Sequence, residues 1–218
     1  MSRRHGWPGR EVAIWVLLGS VAACGSPGGI DESGTTMASI PEEADLRAAI
    51  VARAHDLGAE IRGEDVRLEF LADDVVPGYR VFRGIYSYRD MRDAVTGIAL
   101  EGAAPDTYPL RALGKIFGRW LDLSGELPEP AIVAEVVSFV LGGAGPYDVV
   151  TSEDELAQIA DVEAQGVVER PRAIDVEGQP GVVFWWEKRI GLVEVTVHMI
   201  GHEEIALSQR TLAEVIGD

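Results

Sequence analysis

Cysteine is nearly absent from this chain: Cys24 is the one cysteine in 218 residues. No intramolecular disulfide can form, so the fold must be held by its core. Long apolar runs are missing too. The best of them, Val12 to Ala22, contains Gly19 and Ser20 and is about half the roughly 20 residues that a helix needs to cross a bilayer. Positive charge is scarce, with 19 Lys and Arg against 36 Asp and Glu and a formal net charge of −17. That balance opposes close approach to phosphates and anionic headgroups, so no nucleic acid is expected as a partner. Sequence signatures of catalysis are lacking: there is no Gly-x-Ser-x-Gly elbow and no Ser-x-x-Lys set, and the stretch Leu141 to Gly145 has no Lys-Ser/Thr of a phosphate loop. No cofactor is implied.

What is present begins with an ordered amino end. Arg3, Arg4 and Arg10 precede the apolar run, and Val21-Ala22-Ala23 lead into Cys24. A positive start, a short apolar run and small residues are the parts of a secretory signal peptide. Small residues directly before Cys24 resemble the lipobox of bacterial lipoproteins, with Val21 where that family more often carries Leu. The resemblance covers residues 1–24 alone. It implies that residues 1–23 are cleaved as a signal peptide, that the Cys24 sulfur receives a diacylglyceryl group, and that the new amino terminus is acylated. An acylated sulfur is chemically silent where a lone exposed thiol would be reactive. At about 0.8 kcal/mol per buried methylene, two or more chains on Cys24 suffice to hold a protein to a membrane. From there to residue 38 the chain is rich in Gly, Ser, Thr and Pro, the composition of a flexible tether. In a Gram-negative cell Gly25 lacks the aspartate of inner-membrane retention, which implies the outer membrane. The expected address is the cell envelope, the domain facing periplasm or exterior, with an envelope protein or component as partner.

Without residues 1–23 the chain keeps 16 basic and 35 acidic residues, a net of −19. Residues 39–218 are expected to form one α+β domain, with subdomains 39–105 and 106–218 as the alternative division. Apolar residues at helical spacing from Leu46 to Ile61 predict a helix over 41–61, opened by Ser39-Ile40-Pro41-Glu42. Val66 to Leu71 and Tyr79 to Tyr88 read as an antiparallel strand pair, with a bulge at Gly84 and a short further strand at 97–100. Leu110 to Leu121 and Ile132 to Leu141 predict an amphipathic helical hairpin, although the β-branched second segment also suits a buried strand. Ser152 and Glu155 open a short helix in capping-box spacing. Beyond Pro171, segments 172–177, 182–188, 192–199 and 203–208 form a four-stranded antiparallel meander, and Leu212, Val215 and Ile216 suggest a last helical turn.

The residues that could carry chemistry are few. His198, His202 and Glu203 are the candidate metal ligands, and would serve a metal-dependent or carboxylate-based hydrolase. Strand alternation puts His198 with Glu194 and Thr196 and leaves His202 in a turn, with only His55 as a further imidazole in the mature chain, so solvent-facing histidines at a hairpin are the preferred reading. Asp73-Asp74, Asp90 with Asp93, and Glu153 to Glu155 are carboxylate groups that turns and helix starts explain. Phe184-Trp185-Trp186 alternates across a strand, and Trp185 is the candidate contact surface for a partner, beside the preferred reading that both sheet faces are covered, one by the helical hairpin. The helix followed by Arg67-Leu68-Glu69-Phe70 and Tyr79-Arg80-Val81-Phe82 is similar in pattern to small propeptide or inhibitor modules of secreted proteases, a likeness that specifies no residue. The expected function is a non-catalytic binding domain on a lipid anchor. The alternatives are the hydrolase and a carrier with an apolar pocket between sheet and hairpin.

Overall fold

The computed structural model describes residues 41–89, 91–142, 148–149, 169–188 and 191–214. The first helix, α1, spans Glu43–Asp56, with Glu43 and Asp45 in its first turn and Arg53 and His55 in its last, each sign at the favourable end of the helix dipole. It is shorter than the 41–61 of the sequence reading, because Gly58 takes φ +85°. The Gly58 N–H bonds the His55 carbonyl and the Ala59 N–H bonds the Ala54 carbonyl, both at 2.9 Å. These are the paired bonds of a Schellman cap. Ile61 had extended the apparent period because it is buried, but it is buried in the coil that follows.

Strands β1 (Arg67–Phe70), β2 (Tyr79–Tyr88) and β3 (Met91–Leu100) form an antiparallel sheet in that order. Only the last four residues of β3 had been expected, yet it pairs with β2 from Tyr88↔Met91 to Tyr79↔Leu100. Met91, Arg92 and Asp93 are exposed, so this half of the strand carries no apolar alternation to read. Nor does Gly84 make a bulge: the register runs unbroken through Gly84↔Val95. A Cβ at Gly84 would stand 2.3 Å from Ile50 Cδ1, so the missing side chain lets α1 lie directly on the sheet.

The hairpin consists of α2 (Pro109–Ser124) and α3 (Pro130–Leu141), each with proline in its first turn where no N–H is needed. The β-branched run of α3 is helical, with Val133, Val136, Val137 and Val140 on one buried stripe. The second sheet holds β4 (Asp148–Val149), β5 (Arg172–Val176), β6 (Gln179–Lys188), β7 (Gly191–Met199) and β8 (Ile205–Glu214). Strands β5 to β8 are the antiparallel meander read from the sequence, and β4 joins it by pairing with the far end of β6. The last strand is longer than expected and contains Leu212, which had been assigned to a closing helix. Val215, Ile216 and the helix expected from Ser152 lie outside the described residues.

The fold is α+β, and its layers stack as helix, sheet, helical hairpin, sheet. One face of the first sheet, with Phe82, Tyr86, Val95 and Ala99, meets Leu46, Ile50 and Ala54 of α1. Its other face contributes Val81 and Ile98 to a single cluster that continues through Leu113, Ile116, Phe117, Val133 and Val137 of the hairpin to Phe184, Trp186, Val195 and Val197 of the second sheet. Two indoles tie the hairpin to its neighbours: Trp120 Nε1 donates to the Val75 carbonyl at 3.2 Å, and Trp186 Nε1 donates to the Ser138 hydroxyl. The turn between β7 and β8 packs on α2 backbone first. A Cβ at Gly114 would lie 1.9 Å from the Glu203 carbonyl oxygen and one at Gly118 2.6 Å from that of His202. Two glycines one helical turn apart thus cut the groove in which the turn sits.

Candidate functional site

The candidate metal ligands do not converge. His198 lies opposite Gly181 on β7, on the face turned away from Val197, Met199 and the hairpin, and its Nδ1 is buried with no hydrogen-bond partner. His202 turns toward α2 instead, its Nε2 3.0 Å from Asp122 Oδ1, with both side chains largely exposed. Glu203 lies over Gly114 and Gly118. The remaining imidazole among the described residues, His55, has its Nε2 3.1 Å from the Ile61 carbonyl oxygen beyond the end of α1. Among the described residues no three His, Cys, Asp or Glu side chains come close enough to hold a metal ion. The turn explains this: β7 ends at Met199, and the turn that follows carries His202 out of the strand and toward α2.

Trp185 is corrected as well. It was the candidate contact surface beside the preferred reading of a covered sheet, and it is covered: only 2% of it is exposed, and its Nε1 has no hydrogen-bond partner. Val182 to Trp186 are all buried without alternation, as in a strand covered on both faces. The carboxylates have local work. Asp73 Oδ1 lies 3.8 Å from Arg80, and Asp93 accepts from the Ala94 N–H and, at 3.5 Å, from the Tyr86 hydroxyl. Burial, then the neighbouring Asp93 charge, raises the Tyr86 pKa. Asp90 and Glu153 to Glu155 lie outside the described residues.

A different constellation stands where α1, the edge of β3 and the two ends of the hairpin meet. Asp106, in the link from β3 to α2, is buried and accepts from Arg111 Nε at 2.6 Å, Arg111 Nη2 at 2.8 Å, Lys115 Nζ at 2.9 Å and the Tyr108 N–H at 3.1 Å. Burial by itself would raise this carboxyl, but the hydrogen bonds from Arg111 and Lys115 outweigh it and hold the pKa below the ordinary aspartate value. Arg111 also lies 4.5 Å from the Tyr108 ring centroid, and Arg53 of α1 lies 4.3 Å from the same ring. Two guanidinium groups therefore share one aromatic ring. Arg111 is neutralised by Asp106. The Arg53 side chain has no ion pair or hydrogen bond among the described residues.

Arg53 lines a recess of about 150 Å³ together with Leu57, Ala94, Val95, Thr96, Thr107, Pro109, Val140 and Leu141. Its polar groups are directional. Ile98 exchanges two 2.9 Å hydrogen bonds with Asp106 across the open edge of β3. Backbone polar groups alternate sides along an antiparallel strand, so Thr96 and Ala94 present theirs to the same edge as Ile98. The Ala94 N–H is taken by Asp93 Oδ1 at 2.8 Å. Thr96 and Thr107 are 3% and 8% exposed, and neither hydroxyl has a side-chain hydrogen bond among the described residues. A permanently charged guanidinium, two hydroxyls and an edge amide thus face one hollow with apolar walls, beside the carbonyls of Thr96 and Ala94 on the same edge. This arrangement can hold an anion, and a guanidinium that does not titrate is suited to binding rather than to moving protons.

Sequence reasoning passed over these residues. Asp106 ahead of Pro109, with Arg111 and Lys115 four apart on α2, was a legible local pattern. Arg53 had no local signal, because its partner ring is 55 positions further along the chain. Comparison with known proteins adds nothing to the geometry: no family model, no curated protein and no solved structure matches this chain.

Proposed function

We propose that this chain is a lipid-anchored envelope protein, tethered through acylated Cys24, whose α+β domain is a non-catalytic binding module with the recess at the β3 edge as its ligand site. The observation that carries the binding role is Arg53, a cation without a carboxylate in a chain of 36 acids and 19 bases, set at a hollow with two free hydroxyls. The address rests on the order of Arg3, Arg4, Arg10, the apolar run and Ala22-Ala23-Cys24. The hydrolase reading has little support, since His198 and His202 point to different sides of the hairpin. An apolar carrier pocket between sheet and hairpin has little as well, since that space is filled by Phe117, Phe184 and Trp186.

Intact-mass spectrometry of the membrane-extracted protein beside a Cys24→Ser version tests the anchor. A mature start at Cys24 with added acyl mass, lost on substitution, is the expected result. An unmodified chain that retains residues 1–23 would refute it.

A further inference from the structure

We infer that the recess takes a small organic carboxylate: an anion whose carboxyl group meets Arg53 and whose short apolar body lies against Leu57, Pro109 and Val140. The inference rests on reading the recess as the ligand site and names what the site selects. Three observations point to a carboxylate. A guanidinium fork matches the two oxygens of a carboxylate, and Arg53 already rests over the Tyr108 ring, 4.3 Å from its centroid, so less freedom is lost when it binds. Of the neighbouring groups, the Thr96 and Thr107 hydroxyls and the Thr96 edge amide can donate to such an anion, and the Thr96 and Ala94 carbonyls on the same edge turn its oxygens toward those donors and Arg53. The nearby carboxylate, Asp106, is already paired with Arg111 and Lys115, so the Arg53 guanidinium keeps its charge free for a ligand.

Size narrows the class. About 150 Å³ is the room of roughly five water molecules at about 30 Å³ each. That is room for a monocarboxylate with a compact apolar group. The apolar walls favour such a body over a fully hydrated inorganic anion, which would leave Val140 and Leu141 against water.

The test uses the full chain in detergent, with benzoate, benzyl alcohol and inorganic phosphate as probes and amide NMR shifts as readout. Benzoate is expected to titrate saturably with shifts centred on Thr96, Thr107 and Val140, and to bind at least tenfold more tightly than benzyl alcohol or phosphate. Arg53→Ala is expected to weaken benzoate by about tenfold or more, the range of a charge-assisted hydrogen bond, and Arg53→Lys to restore part of the loss. Should Arg53→Ala fail to fold, Arg53→Gln keeps the stem beside Tyr108 and reads the charge alone. Benzyl alcohol binding as tightly as benzoate, with Arg53 indifferent, would overturn the carboxylate while leaving the recess a ligand site. Phosphate binding more tightly than benzoate would overturn the apolar body. If no probe moves the recess amides, the carboxylate and the site reading fall together, and the anchor stands or falls on its own mass measurement.

Discussion

Replacing Gly114 by alanine tests the packing of the β7–β8 turn on α2, because two opposite signs are in play. In an isolated helix Gly→Ala gains about 1 kcal/mol through a less flexible unfolded chain and better helix propensity. In this fold the new methyl would stand 1.9 Å from the Glu203 carbonyl oxygen, which is backbone and cannot rotate away. To reach even 3.0 Å the turn must retreat by about 1.1 Å. Overpacking of this kind costs about 1 to 3 kcal/mol, and a 1.9 Å approach to backbone puts the cost at the upper end. The net expectation is a loss of about 2 kcal/mol, which for a domain of this size lowers the melting temperature by about 4 to 8 °C. Urea denaturation gives the free energy, and NMR of the 200–204 amides locates the displacement. A stabilised Gly114→Ala protein with unmoved turn amides would refute backbone-first packing of the hairpin on α2.

Two further substitutions probe other joints. Asp106→Asn leaves Arg111 and Lys115 without their carboxylate and is expected to lose about 1 to 2 kcal/mol at pH 7, at the low end because Arg111 is half exposed. Asp106 has a lowered folded pKa, so its contribution is complete above the unfolded value near 3.9 and fades as pH falls through the lower folded value. Urea midpoints from pH 7 to pH 2 should therefore show the gap between the two proteins closing below about pH 4; a constant gap would deny the ion pairs. At the α1 interface, Gly84→Ala should lose about 1 to 3 kcal/mol and Ile50→Ala about 2 to 5 kcal/mol. The pair together should lose less than their sum by more than 0.5 kcal/mol, since removing Ile50 empties the space the new methyl enters. Strict additivity in denaturation would place α1 elsewhere.

The sites were far less legible than the strands. His198, His202 and Glu203 drew attention because they are close in sequence, yet the chain reverses between them, and proximity along a hairpin is not convergence. Trp185 is a candidate surface ring in sequence because alternation assigns it the face opposite Phe184 and Trp186, although the preferred reading there is a sheet covered on both faces. Alternation says which face a ring takes but not whether that face is covered. The recess escaped notice because its parts come from α1, β3, α2 and α3, and a lone Arg53 looks in sequence like any solvated helix residue.

By itself, the sequence determined the elements with strong periodicity or strong punctuation: α2 and α3 behind Pro109 and Pro130, β2, and the meander from Arg172 onward, hence the α+β class. These are set locally, since side chains at period 2 or 3.6 must share a face whatever the partner is. Tertiary structure decided the rest. It paired the exposed half of β3, it made Gly84, Gly114 and Gly118 points of close approach, and it set Arg53 and Arg111 against one ring while leaving only Arg111 with a carboxylate. The physical reason is the same in each case: an edge, a missing side chain or an unpaired charge acquires its meaning from what is packed against it, and those neighbours are distant in the chain.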